Sequence, residues 1–224
     1  MTVLLIPGLL CDRVVWEPAI DALGGQAAVA DLSTQSDIRD MARDCLARHD
    51  GPLRVAGHSM GARVAMEMAH QAPDRIERLA LLDTGIHPLK EGEPEKRAEI
   101  VRFANENGMA ALAERWLPGM IHRKDLPQVW DMLRAMVLRM NPALHARQIA
   151  ALVGRPDASS YLADVTCPVL LVVGRQDQWS PVSQHEDMKV LMPQAQLEVV
   201  ENAGHFAPVE QPEAVAALLK AFLE

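Results

Sequence analysis

Six short apolar runs, each set off from the next by a longer amphipathic stretch, leave this chain few folds to adopt. The runs are Val3–Ile6, Ala28–Leu32, Leu53–Gly57, Leu79–Leu82, Val169–Val173 and Leu197–Val200. Near-continuous apolar character over four or five residues suits strands buried on both faces, with helices supplying the cover. The pattern predicts an α/β fold: a doubly wound, mainly parallel sheet of about six strands. Two of the intervening helices are legible in detail. Met60–Gln71 gathers Arg63, Glu67 and His70/Gln71 on one polar stripe, and Pro73 ends it. Pro212 stands at a first helical position, with Val215, Leu218, Leu219 and Phe222 following at helical spacing.

The alternation fails once. From about Gly85 to Leu162 there is no strand candidate, only helical segments punctuated by Pro94, Gly108, Pro118, Pro127 and Pro142. The reading is a core domain built from residues 1–85 and 163–224, with a helical lid inserted at 86–162 over one end of the sheet. The charged stretch Lys90–Glu99 reads as a solvated helix start.

Composition narrows the partners. With 49% apolar and 23% charged residues, a chain of 224 residues can bury one sizeable core unaided. Lys and Arg number 22 against 30 Asp and Glu, a net charge of −8, so no basic patch is available to a nucleic-acid backbone. Cys11, Cys45 and Cys167 are too few and too scattered for a disulfide framework or a zinc site. The opening run ahead of Pro7 is too short for a signal peptide, and no run approaches the ~18 apolar residues of a spanning helix. The expectation is a cytoplasmic protein with no membrane partner.

The chemistry concentrates at Gly57-His58-Ser59-Met60-Gly61, a G-x-S-x-G pattern with a buried strand before it and a helix after it. Such a sharp strand-to-helix turn needs small residues flanking the serine, because its backbone is strained and closely packed. A serine nucleophile needs a base, and the base an orienting acid, here in the chain order Ser, Asp or Glu, His. Two downstream strands empty into Arg175-Gln176-Asp177 and into Gly204-His205, on the same sheet edge as Ser59. Open α/β sheets bind their ligands at that edge. Asp83 also follows a strand and stays open as an alternative acid. His58 reads as a packed neighbour of the turn, and Asp12 as the cap of the helix holding Trp16. The other histidines, His49, His70, His87, His122, His145 and His185, are assigned to polar helix faces or loops, without metal-ligand spacing.

Through Pro7-Gly8-Leu9-Leu10, Gly57–Gly61, Gly174-x-x-Asp177 and Gly204-His205, the chain resembles the α/β-hydrolase-fold superfamily over nearly its whole length. The resemblance implies Ser59 as nucleophile, His205 as general base and then acid, and Asp177 as orienter of the imidazole. It implies an oxyanion hole from the backbone N–H groups of Leu9 and Met60. Leu10, Cys11 and Trp179 are the candidate substrate contacts. Many relatives carry His-Gly where this chain has Pro7-Gly8, and the family's opening hairpin is absent. No phosphate loop, His-Glu-x-x-His or Ser-x-x-Lys occurs, so neither cofactor nor metal is expected. The expected activity is a serine hydrolase acting on small or medium carboxylic esters with an apolar acyl or aryl group. Met109, Met120, Met132, Met136, Met140, Trp116 and Trp130 of the lid suit such a group. C–C bond hydrolysis, thioester or amide cleavage and hydroxynitrile lyase chemistry use the same triad. A slow or non-catalytic ligand receptor is the alternative of a different class.

Overall fold

The computed structural model describes residues 2–224. Its strands are β1 (Thr2–Ile6), β2 (Ala28–Val29), β3 (Leu53–His58), β4 (Ile76–Leu82), β5 (Val169–Gly174) and β6 (Gln196–Val200). They form one sheet in the order β2-β1-β3-β4-β5-β6, every pairing parallel. The helices are α1 (Glu17–Ala22), α2 (Ile38–Arg48), α3 (Met60–Gln71), α4 (Glu93–Trp116) and α5 (Pro127–Leu138). They continue with α6 (Pro142–Val153), α7 (Val182–Leu191), α8 (Ala207–Glu210) and α9 (Pro212–Leu223).

Alternate side chains of the central strands enter opposite cores, as the two-residue period of a strand requires. Leu5, Ala56, Ala80, Leu82, Leu170 and Val172 face the core that contains Trp16 and Ile20 near α1 and Leu219 of α9. Leu4, Val55, Leu79, Leu81 and Leu171 face the other, with Met41 of α2, Val64 and Met68 of α3 and Met188 of α7. Burial on both faces explains why these strands read as near-continuous apolar runs.

The chain leaves β1 toward β2 on one side and returns to β3 on the other, so the winding reverses between β1 and β3. At such a switch point two strand ends open onto a crevice instead of being bridged by one connection. Between β4 and β5 the chain forms α4, α5 and α6 and, among the described residues, no strand. Its prolines begin helices: Pro127 and Pro142 are first residues of α5 and α6, and Pro94 lies in the first turn of α4. Gly108, with φ +80°, kinks α4. Met109, Leu112, Met120, Leu133 and Met136 from this segment join the first core, together with Leu10, Cys11 and Phe206.

Three expectations are corrected. The second strand stops at Val29, short of Leu32, because it is an edge strand and a turn follows at once. Asp31 Oδ1 takes the Ser33 N–H at 2.9 Å, and the Leu32 carbonyl faces Gln148. His145 and His185, assigned to polar faces or loops, are 2% and 0% exposed. Both sit on the interior stripe of short helices, His145 beside Leu144 and Ile149, His185 one turn before Met188. Within the polar stripe of α3, Glu67 is buried and accepts from Gln71 and Tyr161.

Candidate active site

Among the described residues, four non-glycine residues have positive φ: Leu10 at +56°, Ser59 at +55°, Asp83 at +46° and Asn202 at +56°. Each lies just beyond the carboxyl end of a strand, respectively β1, β3, β4 and β6. Such conformations cost on the order of 1–3 kcal/mol each and persist only where the surroundings impose them. Strain therefore collects along one edge of the sheet.

Ser59 occupies the turn between β3 and α3. Its N–H donates to the Leu82 carbonyl at 2.9 Å, and its own carbonyl accepts from Thr84 Oγ1 at 3.1 Å. The flanking glycines are sterically required. A Cβ on Gly61 would run into the Ile6 and Pro7 carbonyls, and one on Gly57 into the backbone of Gly61 and Ala62. The turn can pass this close to β1 only without those side chains.

Ser59 Oγ lies 2.8 Å from His205 Nε2, and His205 Nδ1 lies 2.8 Å from Asp177 Oδ2. These partners assign the tautomer: Nδ1–H donates to the carboxylate, which leaves Nε2 bare to accept from the serine hydroxyl. Burial alone would raise the Asp177 carboxyl. His205 beside it and the N–H groups of Ser180 and Trp179 instead hold it below the usual carboxylate range. Those two donors reach Oδ1 at 3.0 and 2.8 Å, so both carboxylate oxygens are occupied.

The loop carrying His205 is held from every side. His205 N–H donates to the Met120 carbonyl at 2.9 Å, and its own carbonyl accepts from His58 Nε2 at 2.7 Å. The Gly204 N–H goes to Glu210 Oε1 at 2.8 Å and the Ala207 N–H to Asp83 Oδ2 at 3.1 Å. Glu210 Oε2 also accepts the N–H groups of His122 and Arg123, both at 2.7 Å, fastening the α4–α5 connection to this loop. His58 is pushed down to about 3, first by burial and then by neighbouring His205, so it is neutral and donates through Nε2. Asp83 makes no hydrogen bond to the His205 ring. Its Oδ1 accepts the Gly174 N–H at 2.9 Å, and burial with Asp177 and Glu210 nearby raises it well above the usual range.

The turn after β1 packs on the serine. A Cβ on Gly8 would stand 3.2 Å from Ser59 Cβ and 3.0 Å from His58 Nδ1, so glycine permits the approach. Leu9 N–H in this turn, and Met60 N–H at the first position of α3, donate to no acceptor among the described residues. A first-turn N–H has no partner within its own helix, and it adds the positive end of the helix dipole. Leu10 is 1% exposed and Cys11 7%, and burial pushes the Cys11 thiol up, keeping it protonated. Trp179 is 54% exposed, with its indole nitrogen 3.8 Å from where a Gly119 Cβ would stand. Asp12 caps the short helix Arg13–Trp16 through the Val14 N–H at 2.9 Å.

Sequence reasoning missed three residues. Met120 acts through its own carbonyl, and the Glu210 carboxylate accepts only backbone N–H groups, which every residue but proline has, so no pattern of residue types announces either. Gln148, whose Oε1 accepts the Leu10 N–H at 2.9 Å, did leave a signal. A glutamine between Leu144 and Leu152 at four-residue spacing is a polar group on a buried helix face. Among the described residues no His, Cys, Asp or Glu cluster of three or more could hold a metal ion, and no helix is long and apolar enough to cross a membrane.

Known proteins share this architecture. An esterase structure from Thermogutta terrifontis, with malate bound, superimposes with a TM-score of 0.91 at 29% identity, covering 100% of this chain and 89% of that one. A Bacillus subtilis protein assigned as 2-succinyl-6-hydroxy-2,4-cyclohexadiene-1-carboxylate synthase is 29% identical, over 91% of this chain and 79% of its own. The pimeloyl-[acyl-carrier protein] methyl ester esterase of Nitrosomonas europaea is 26% identical, over 93% of this chain and 90% of its own. The family model for the alpha/beta hydrolase family matches residues 3–218, and the chain belongs to that family.

Proposed function

We propose that this protein is a serine hydrolase of small or medium carboxylic esters, working through Ser59, His205 and Asp177. The observation that carries the reading is the unbroken hydrogen-bonded line from Ser59 Oγ through the imidazole to Asp177, at 2.8 Å in both links. Ser59 Oγ attacks the ester carbonyl carbon while its proton passes to His205 Nε2. The carbonyl oxygen gains the charge and is held by Leu9 N–H and Met60 N–H. His205 returns the proton to the departing alkoxide, leaving an acyl-serine. Water then attacks that acyl group, again giving its proton to His205, which returns it to Ser59 Oγ as the C–Oγ bond breaks and the carboxylic acid leaves. Asp177 keeps the ring in the tautomer that accepts from serine and steadies the transient imidazolium. The esterase names of two relatives support an ester as substrate. The synthase name of the third keeps other chemistry of the same triad in view.

In this reading residues 86–162 are the lid. Its helices bury Met109, Met120 and Met136 in the same core as Leu10 and Cys11, and an apolar enclosure of this kind favours acyl groups of limited length. A cytoplasmic location fits a small-molecule ester as partner. The test is a panel of p-nitrophenyl esters with acyl chains from two to sixteen carbons. Turnover is expected to peak at short or medium chains, fall beyond about eight carbons, and drop about 10³-fold or more in Ser59→Ala. Equal turnover by Ser59→Ala would remove the reading. A flat profile to sixteen carbons would remove the restrictive lid.

A further inference from the structure

The turn Gly8–Cys11 cannot hold its conformation by itself. One backbone hydrogen bond closes it, Cys11 N–H to the Gly8 carbonyl at 3.2 Å, and its third residue is Leu10 with φ +56°. Positive φ at the third position of a tight turn ordinarily calls for glycine, because a Cβ is crowded there. The peptide joining Leu9 to Leu10 is instead held at both ends. Its N–H donates to Gln148 Oε1 at 2.9 Å, and its carbonyl accepts from Cys11 Sγ at 3.3 Å. A thiol is a weak donor, so Gln148 is the principal tether. Gln148 is 3% exposed and comes from α6, 138 residues along the chain. Its Nε2 faces the Leu32 carbonyl at 3.5 Å, which turns the amide oxygen toward Leu10. Leu144, Ile149 and Leu152 bury the same face of the helix.

We propose that Gln148 is a positioning residue for the oxyanion turn, so that Ser59 is competent for acyl transfer only while α6 is seated against Leu10. The proposal rests on the reading of Ser59, Leu9 and Met60 given above. Without the tether Leu10 relaxes to negative φ, the Leu9–Leu10 peptide rotates, and the turn presenting Leu9 N–H loosens. Gln148 itself touches no substrate. The misplaced donor matters only when charge develops on the carbonyl oxygen, so the loss falls on kcat and not on KM. Because α6 belongs to the proposed lid, seating the lid and assembling the oxyanion hole become one event.

Two substitutions test this. Gln148→Met keeps the volume and removes the acceptor, whereas Gln148→Glu keeps an acceptor at the same reach. With p-nitrophenyl acetate, Gln148→Met is expected to lower kcat about 10- to 30-fold with KM within about twofold. Phosphonylation of Ser59 by a fluorophosphonate should slow by a similar factor, and Gln148→Glu should recover most of both, with thermal melts showing that each variant is folded. A folded Gln148→Met with kcat and phosphonylation within twofold of wild type overturns the proposal. So does a loss carried by KM alone, which would make Gln148 a substrate contact. A wild type that neither turns over the ester nor takes the probe at Ser59 overturns the underlying reading as well.

Discussion

Asp83 and Asp177 stand at the ends of adjacent strands, β4 and β5, are 0% and 3% exposed, and do opposite things. Asp177 spends one oxygen on two N–H groups of its own loop and keeps the other for His205. Asp83 gives both oxygens to backbone, Gly174 N–H and Ala207 N–H, and so ties the β5 end to the residue two beyond His205. Asp83 itself has a positive φ of +46°. The pair shows that a buried carboxylate at the right sheet edge is not enough. What decides its role is whether its local backbone leaves an oxygen free for the ring.

The largest break of this comparison is Asp177→Asn. An amide there favours the tautomer that cannot accept from Ser59, and kcat is expected to fall about 10⁴-fold with the fold kept. Circular dichroism beside ester kinetics checks both halves. Asp83→Asn should behave the other way round. Its amide group cannot accept the second N–H, leaving a buried donor unpaired at a cost of about 1–3 kcal/mol of stability. Activity should stay within about tenfold of wild type, because the His205 loop keeps its ties to Met120, His58 and Glu210. The reverse ranking in kcat would transfer the orienting role to Asp83.

The smaller effect lies in the acid limb of stability. His58 is lowered to about 3, and His145 and His185 to about 4, all chiefly by burial. The unfolded chain takes up these protons near the usual value of 6.5 while the folded chain does not. Their stabilisation is therefore complete above that value and lost as pH falls toward 4. Three protons correspond to a slope of about 4 kcal/mol per pH unit at most. Asp83 opposes this: its raised folded value lets the native state hold a proton the unfolded chain releases, a contribution lost as pH rises. Asp177, held low, acts only below the usual 3.8. Urea midpoints between pH 7 and 5 should fall with pH, more steeply in Asp83→Asn and unchanged in steepness in Asp177→Asn.

Much of this was legible in the chain because burial on both faces writes itself into sequence. The strands β1, β3, β4 and β5 read as apolar runs, and α3 was delimited residue for residue by Ser59 before it and Pro73 after it. Ser59, Asp177 and His205 stand out as candidates for the same reason: each follows such a run. The edge strand was overextended because β2 has one neighbour, and its end is set by a turn at Asp31. The ties around the His205 loop left no trace, since Glu210 meets Gly204, His122 and Arg123 only through their N–H groups. His185 was misplaced because its buried ring meets only backbone groups, Nε2 the Thr84 N–H at 3.3 Å and Nδ1 the Pro181 carbonyl at 3.4 Å.

The central claim is that Ser59 is a nucleophile activated by His205 and oriented through Asp177, and covalent labelling addresses it without knowledge of the natural substrate. Wild-type protein treated with a fluorophosphonate and digested for mass spectrometry should carry one adduct, on the peptide containing Ser59. Asp177→Asn should label far more slowly, Asp83→Asn at close to the wild-type rate, and Ser59→Ala not at all. An adduct on another residue, or an unlabelled but folded wild type, would contradict the account.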